Sequence, residues 1–224
     1  MIVQISEPVT LVGGANLSKQ VLKHATSLAP FVVAADGGAN RALEHGVTPK
    51  AVIGDFDSID PATLSQLPED TLHPIREQDT TDFDKCLRNI SAPLGIGVGF
   101  SGDRLDHQLA TYNTLVRHPD RPCVLVGQSE LVFLAPPSLA LDLSADTPVS
   151  LFPMGAVEGV SDGLQWPIGG LNFAPDGRVG TSNRATGPVQ LSMTSAKMLV
   201  ILPASTLDLV VEALMTARAV WSEP

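Results

Sequence analysis

The sequence predicts an α/β N-terminal domain, with a mostly parallel sheet flanked by helices, followed by a mainly antiparallel β domain. Two observations carry this. From Val9 to about Val126, short apolar runs alternate with segments of helical period, the pattern of a parallel sheet wrapped by helices. After Val126 the runs shorten and are separated by Pro, Gly, Asp and Ser turn signals, which favours antiparallel pairing. The boundary falls between about Gly127 and Asp146, giving domains of residues 1–130 and 131–224.

In chain order, the predicted strands of the first domain are Val9-Val12, Phe31-Ala35, Ala51-Ile53, Leu72-Ile75, Gly97-Phe100 and Val124-Val126. Between them Ser18-Leu28, Ala39-His45, Thr81-Ile90 and Leu105-Arg117 have helical spacing. Thr81 is an N-cap candidate, with Asp84 three residues on completing a start like a capping box. Asp82 and Asp84 therefore also suit a first helical turn, where the macrodipole favours anions. In the second domain the predicted strands are Leu131-Leu134, Leu139-Leu143, Val149-Phe152, Val189-Met193 and Lys197-Leu202. A closing helix over Thr206-Val220, started near Ser205 and Asp208, carries Leu207, Val210, Val211, Leu214 and Met215 at packing positions.

Composition narrows the function classes. A formal net charge of -10 argues against an electrostatic grip on nucleic acid or an anionic membrane, so a phosphate ester would need a metal to help bind it. The apolar runs stop well short of the roughly 20 residues that span a bilayer. Cys86 and Cys123 form no Cys-x-x-Cys and have no paired histidines for zinc, so both are expected as buried, reduced thiols. With no secretory signal visible in Met1 to Thr10, a soluble, cytoplasmic protein is expected.

Four polar clusters each follow a predicted strand of the first domain: Asp36-Gly37-Gly38, Gly54 to Ser58, Gln78 to Asp82, and Ser101 to His107. In an open α/β sheet the carboxyl ends of parallel strands share one edge, where ligands bind, so the clusters converge on one cleft. Asp36-Gly37-Gly38-Ala39-Asn40-Arg41 is either an ordinary turn or a place where backbone approaches an anion at a helix start. Asp55 and Asp57, one residue apart at a strand end, can share a face and grip one hard cation, or else form an Asx-turn before Pro61. From Asp55 to Asp84 the chain carries nine acidic residues against one basic residue, Arg76. Carboxylates so crowded repel one another, and a divalent cation such as Mg²⁺ relieves this. Arg104 offers a forked contact to phosphate, with Asp106 placed to orient it or to join the metal. His107 is either a general base or a capping or packing residue. Lys85 either meets phosphate or pairs with Asp82 one turn earlier.

Together these motifs resemble the thiamine pyrophosphokinase family. The resemblance rests on Asp36-Gly37-Gly38-Ala39-Asn40-Arg41, Gly54-Asp55-Phe56-Asp57-Ser58, Gln78-Asp79-x-Thr81-Asp82-x-x-Lys85 and Arg104-Leu105-Asp106-His107, in the family's order. It continues through Gly163-Leu164-Gln165-Trp166-Pro167-Ile168 and Thr181-Ser182-Asn183, which look like the family's thiamine-pocket segments. It implies an ATP- and Mg²⁺-binding catalytic domain, then a β-sandwich that binds thiamine and dimerises, in a homodimer whose active site lies near the subunit interface. The implied reaction is Mg²⁺-dependent transfer of the pyrophosphoryl group of ATP to the thiamine hydroxyl, giving thiamine diphosphate and AMP.

On the matching positions, Asp55, Asp57 and Asp79 are expected to hold metal, with Asp82, Arg104 and Asp106 completing the catalytic set. Asp36, Gly37, Gly38, Asn40, Lys85, Arg104 and His107 are expected around the nucleotide, and Gln78, Trp166, Ser182 and Asn183 around thiamine. Trp166 either gives the cationic thiazolium an aromatic face or is an ordinary packing tryptophan. Arg184 departs from the acidic residue expected after Ser182-Asn183. The first-domain motifs alone also fit a pyrophosphokinase for another alcohol, such as a hydroxymethylpterin, or a Mg-nucleotide-binding regulatory module without turnover.

Overall fold

The computed structural model describes residues 1–102, 104–217 and 219–222, so Asp103 of the Ser101 to His107 cluster lies outside the described residues. Two compact units emerge: residues 1–114 with 125–128, and residues 115–124 with 129–224.

The first unit opens with β1 (Val3–Gln4), β2 (Val9–Val12), α1 (Lys19–Leu28), β3 (Phe31–Ala35), α2 (Gly38–Glu44) and β4 (Ala51–Gly54). There follow α3 (Pro61–Leu64), β5 (Leu72–Pro74), α4 (Asp82–Arg88), β6 (Ile90–Ser91) and β7 (Gly95–Val98). The last elements to begin there or adjoin it are α5 (Leu105–Arg117) and β8 (Cys123–Val126). Strands β7-β2-β3-β4-β5 lie side by side, and each pair is parallel. Every residue of β2, β4 and β7 is buried, as expected of parallel strands covered on both faces. The register brings the ends of β2, β3, β4 and β7 to one edge, where Gly13, Asp36, Asp55 and Gly99 leave the sheet.

Local chemistry explains the helix starts. Ser18 caps α1, its Oγ accepting from Val21 N at 3.2 Å, and Thr81 caps α4, its Oγ1 accepting from Asp84 N at 3.3 Å. Helix α5 spans Leu105–Arg117, the range its periodicity predicts. The strand expected at Gly97-Phe100 instead occupies Gly95–Val98. Gly99 has φ +73, and a Cβ on it would lie 2.6 Å from the Gly13 carbonyl oxygen, so the chain turns out of the sheet there.

The second unit contains β9 (Glu130–Leu134), β10 (Ser138–Leu141), β11 (Pro148–Pro153), β12 (Val157–Leu164), β13 (Asn172–Phe173), β14 (Gly180–Met193), β15 (Met198–Pro203) and α6 (Leu207–Thr216). Its strands run β13-β12-β14-β11-β15-β9, with β10 also on β14, and each of these pairings is antiparallel. Strand β14 is 14 residues long, whereas the sequence marks only its end, Val189-Met193. Gly187-Pro188 and the polar Thr181-Ser182-Asn183 disguise the rest as loop. The closing helix also ends sooner than expected. Ala217 turns extended at φ -56, ψ 126, and the chain continues to Trp221, whose Nε1 donates to the Ala135 carbonyl at 2.8 Å. Among the described residues no helix is long and apolar enough to cross a membrane.

Candidate active site

The edge of the first unit's sheet opens into a cleft of about 1250 Å³ lined by Gly13, Gly14, Asp36, Asp55, Asp57, Gln78, Asp82, Lys85 and Arg104, among others. Its organising residue is Asp36. This side chain is 1% exposed, and its two oxygens accept from Phe56 N at 2.7 Å and Ser58 N at 3.1 Å. Gly54 makes the approach possible, because a Cβ there would sit 2.6 Å from that of Asp36. The Gly54-to-Ser58 turn is strained, with Phe56 at φ 68, a left-handed conformation that costs a bulky residue about 1–2 kcal/mol. The two charge-assisted bonds from Asp36 offset that strain. Asn40 pins the far side of the turn, donating from Nδ2 to Ser58 O at 2.9 Å and accepting at Oδ1 from Asp60 N at 3.0 Å.

Held this way, the turn presents its carboxylates together. One oxygen from each of Asp36, Asp55 and Asp57 lies within 4.8 Å of the others, a hard-oxygen donor set suited to Mg²⁺. Asp57 is exposed and its Oδ1 accepts from the Ser58 hydroxyl at 2.8 Å. The geometry therefore groups Asp36 with Asp55 and Asp57, while Asp79 is exposed and has no place on the cavity wall.

Lys85 lies on the inner face of α4, only 2% exposed. Its Nζ donates to Asp55 Oδ2 at 2.8 Å and to Asp82 Oδ1 at 3.0 Å, and Gln78 Nε2 adds a 3.0 Å bond to the same Asp55 oxygen. The Lys85 hydrogen bond holds the Asp55 carboxyl below its usual range. For Asp82, burial pushes the carboxyl up by more than Lys85 pulls it down. Burial also presses the Lys85 ammonium down, but its bonds to Asp55 and Asp82 prevail and raise it. The loop carrying Gln78 is itself anchored: the Glu77 carboxylate accepts from Thr80 Oγ1 at 2.6 Å and from the Arg88 guanidinium of α4.

At the start of α5, Arg104 and Asp106 are exposed and bonded to each other, at 2.6 Å between Arg104 Nη2 and Asp106 Oδ2. That bond raises the guanidinium and lowers the carboxyl from their ordinary values. Arg104 and His107 line the cleft; Asp106 does not, and serves as the partner of Arg104. Gly37 also lines the cleft, whereas Gly38 is buried behind it. Ala15, Asn16, Phe100 and Thr111 line the cleft too, and no motif singled them out.

The remaining predicted residues lie in the second unit. Trp166 is 52% exposed, so it is no core tryptophan. Asn183 is buried beneath it: Nδ2 donates to Trp166 O at 2.7 Å, and Oδ1 accepts from Trp166 N at 3.1 Å and from Arg184 N at 2.9 Å. Its amide thus fixes the backbone of Trp166, just past the end of β12, against β14. Ser182 is exposed at φ 65, its N–H donating to Ser150 Oγ at 3.0 Å. Arg184 stands 3.6 Å from Asp146 in an exposed ion pair.

Beneath the cleft, Cys86 is fully buried with Sγ 3.6 Å from the Ile53 carbonyl oxygen, and burial pushes its thiol well above the ordinary value. Cys123 is 4% exposed. A thiolate-selective reagent at pH 8 should therefore label neither cysteine in the folded protein and both after denaturation. Rapid native labelling counted by mass spectrometry would contradict this packing.

A family model described as the thiamin pyrophosphokinase catalytic domain matches residues 22–125. Thiamine pyrophosphokinase 1 of Arabidopsis thaliana is 30% identical over 183 residues, 66% of this chain and 68% of the relative. Thiamine pyrophosphokinase 3 of Oryza sativa subsp. japonica is 28% identical over 67% of this chain and 69% of its own. In fold, the chain is similar to the thiamin pyrophosphokinase from Candida albicans, with TM-score 0.74 at 16% identity over 90% of this chain and 92% of that one. It is likewise similar to the thiamin pyrophosphokinase from Geobacillus thermodenitrificans, with TM-score 0.70 at 23% identity over 88% and 96%. With a relative at this level of identity across about two thirds of both sequences, and the motifs present in the family's order, the chain belongs to the thiamine pyrophosphokinase family.

Proposed function

We infer that this chain transfers the pyrophosphoryl group of ATP to the hydroxyl of thiamine, releasing thiamine diphosphate and AMP. The observation that carries this reading is the cleft in which Asp36, Asp55 and Asp57 converge beside Lys85, with Arg104 among its lining residues, in a chain of this family.

Attack on the β-phosphorus builds charge on the moving group and on the departing α-phosphate, so positioning and neutralisation are the main demands. Asp55 and Asp57, with Asp36 beside them, would hold Mg²⁺, which supplies charge neutralisation and polarises the phosphoryl oxygens. Arg104, whose Nε and Nη2 are held by Asp106, offers its remaining guanidinium N–H groups to phosphate oxygens. His107 lines the same cleft. Trp166, its backbone held by Asn183, presents an exposed aromatic face for the cationic thiazolium, and Ser182 precedes Asn183 on β14. The finer arrangement proposed is a catalytic α/β domain followed by a β-sandwich that binds thiamine, in a cytoplasmic homodimer whose site lies near the subunit interface.

Incubation with ATP, Mg²⁺ and thiamine should yield AMP and thiamine diphosphate in equal amounts, resolved by chromatography. Release of ADP, or consumption of a pterin alcohol in preference to thiamine, would overturn the reading.

A further inference from the structure

Lys85 is the buried exception among the lysines: Lys19, Lys23, Lys50 and Lys197 are all exposed. Taking an ammonium out of water is expensive unless anions meet it, and here two do, Asp55 at 2.8 Å and Asp82 at 3.0 Å. Asp55 has a second obligation. It belongs with Asp36 and Asp57 to the three carboxylates whose oxygens lie within 4.8 Å of one another. One carboxylate is thus shared between a fixed internal cation and a group of donors suited to a divalent one.

We propose that Lys85 is a positioning residue acting as an internal counter-cation, holding Asp55 and Asp82 in place and competing with a divalent metal for Asp55. The proposal rests on the metal reading given above. Without Lys85, the carboxylates of Asp55 and Asp82 repel each other, and the negative charge on Asp55 is left free to hold a metal. With it, the cluster stays assembled, and metal binds more weakly than the carboxylates alone would bind it. That keeps the bare site from being locked by metal before the nucleotide supplies its own charge. A unit positive charge a few ångströms from a divalent ion, even screened as in water, corresponds to about a tenfold loss of affinity.

The test is Mn²⁺ binding at pH 8 to the nucleotide-free full chain, followed by electron paramagnetic resonance, in wild type, Lys85→Met and Lys85→Gln. Both variants should bind Mn²⁺ about tenfold more tightly than wild type, although their melting temperatures fall. A lysine that served only as a strut would lower the melting temperature and leave Mn²⁺ affinity unchanged, and unchanged or weaker binding overturns the proposal. Should neither variant fold, the wild type answers alone. A buried ammonium exchanges protons slowly and gives a protected ¹⁵N resonance. Saturating Mg²⁺ should shift it, and a resonance that does not move overturns the proposal. If wild type binds no Mn²⁺ at all, the metal reading and this proposal fail together; if it binds but the variants match it, only the proposal fails.

Discussion

Replacing Asp36 by Asn should lower kcat by about 10³-fold and cost about 3 kcal/mol of stability. The reasoning begins from the two bonds its carboxylate accepts, from Phe56 N at 2.7 Å and Ser58 N at 3.1 Å. Bonds to a charged acceptor contribute roughly 1.5–3 kcal/mol each. An Asn of the same shape can accept only one of them and turns an N–H toward the other donor. With the side chain 1% exposed, water cannot repair the mismatch. The strained turn at Phe56 then loses what holds it, and Asp55 and Asp57 move together, which is why the catalytic loss reaches the upper end of the about 10²–10³-fold usual for removing one electrostatic contact. Urea unfolding gives the first quantity, and turnover per folded molecule gives the second. A variant as stable as wild type with kcat within about threefold would show that Asp36 does not organise the turn.

The role of Asp36 illustrates what was legible in the sequence. Local features were: Ser18 and Thr81 cap their helices, and α5 runs from Leu105 to Arg117, because capping and 3.6-residue periodicity depend on neighbours a few positions away. The convergence of the polar clusters was legible too, since parallel strands put their ends on one edge. What a motif does within that edge was not. Asp36 reaches Phe56 across 20 positions, and Lys85 reaches Asp55 across 30; no spacing rule connects them. The pairing of Lys85 with Asp82 was open as one alternative because it is an i,i+3 contact on a helix. In the second unit, β12 and most of β14 escaped notice because Gly163, Gly187 and Pro188 read as turns, whereas here they sit within register shifts and bends of long strands.

Asp55 and Asp57 are chemically identical and one residue apart, yet their substitution should separate activity from stability. Asp57→Asn should reduce kcat by about 10²-fold or more, the usual scale for a major electrostatic contact, and leave the unfolding midpoint nearly unchanged. Its carboxylate is exposed and, among the described residues, bonds the neighbouring Ser58 hydroxyl alone, so the folded state gives up little. Asp55→Asn should match that catalytic loss and add a stability loss of about 2–3 kcal/mol, because among the described residues it leaves the buried Lys85 ammonium with Asp82 as its one carboxylate partner. Removing one partner of a buried pair usually costs about 3–5 kcal/mol, and the remaining Asp82 contact keeps the expected value below that range. Thermal melts of the two variants beside their Mg²⁺-dependent turnover make the comparison. Equal melting temperatures would mean that Lys85 does not depend on Asp55. Near-normal turnover by Asp57→Asn would remove the exposed carboxylate from the metal group and leave Asp36 and Asp55 as its members.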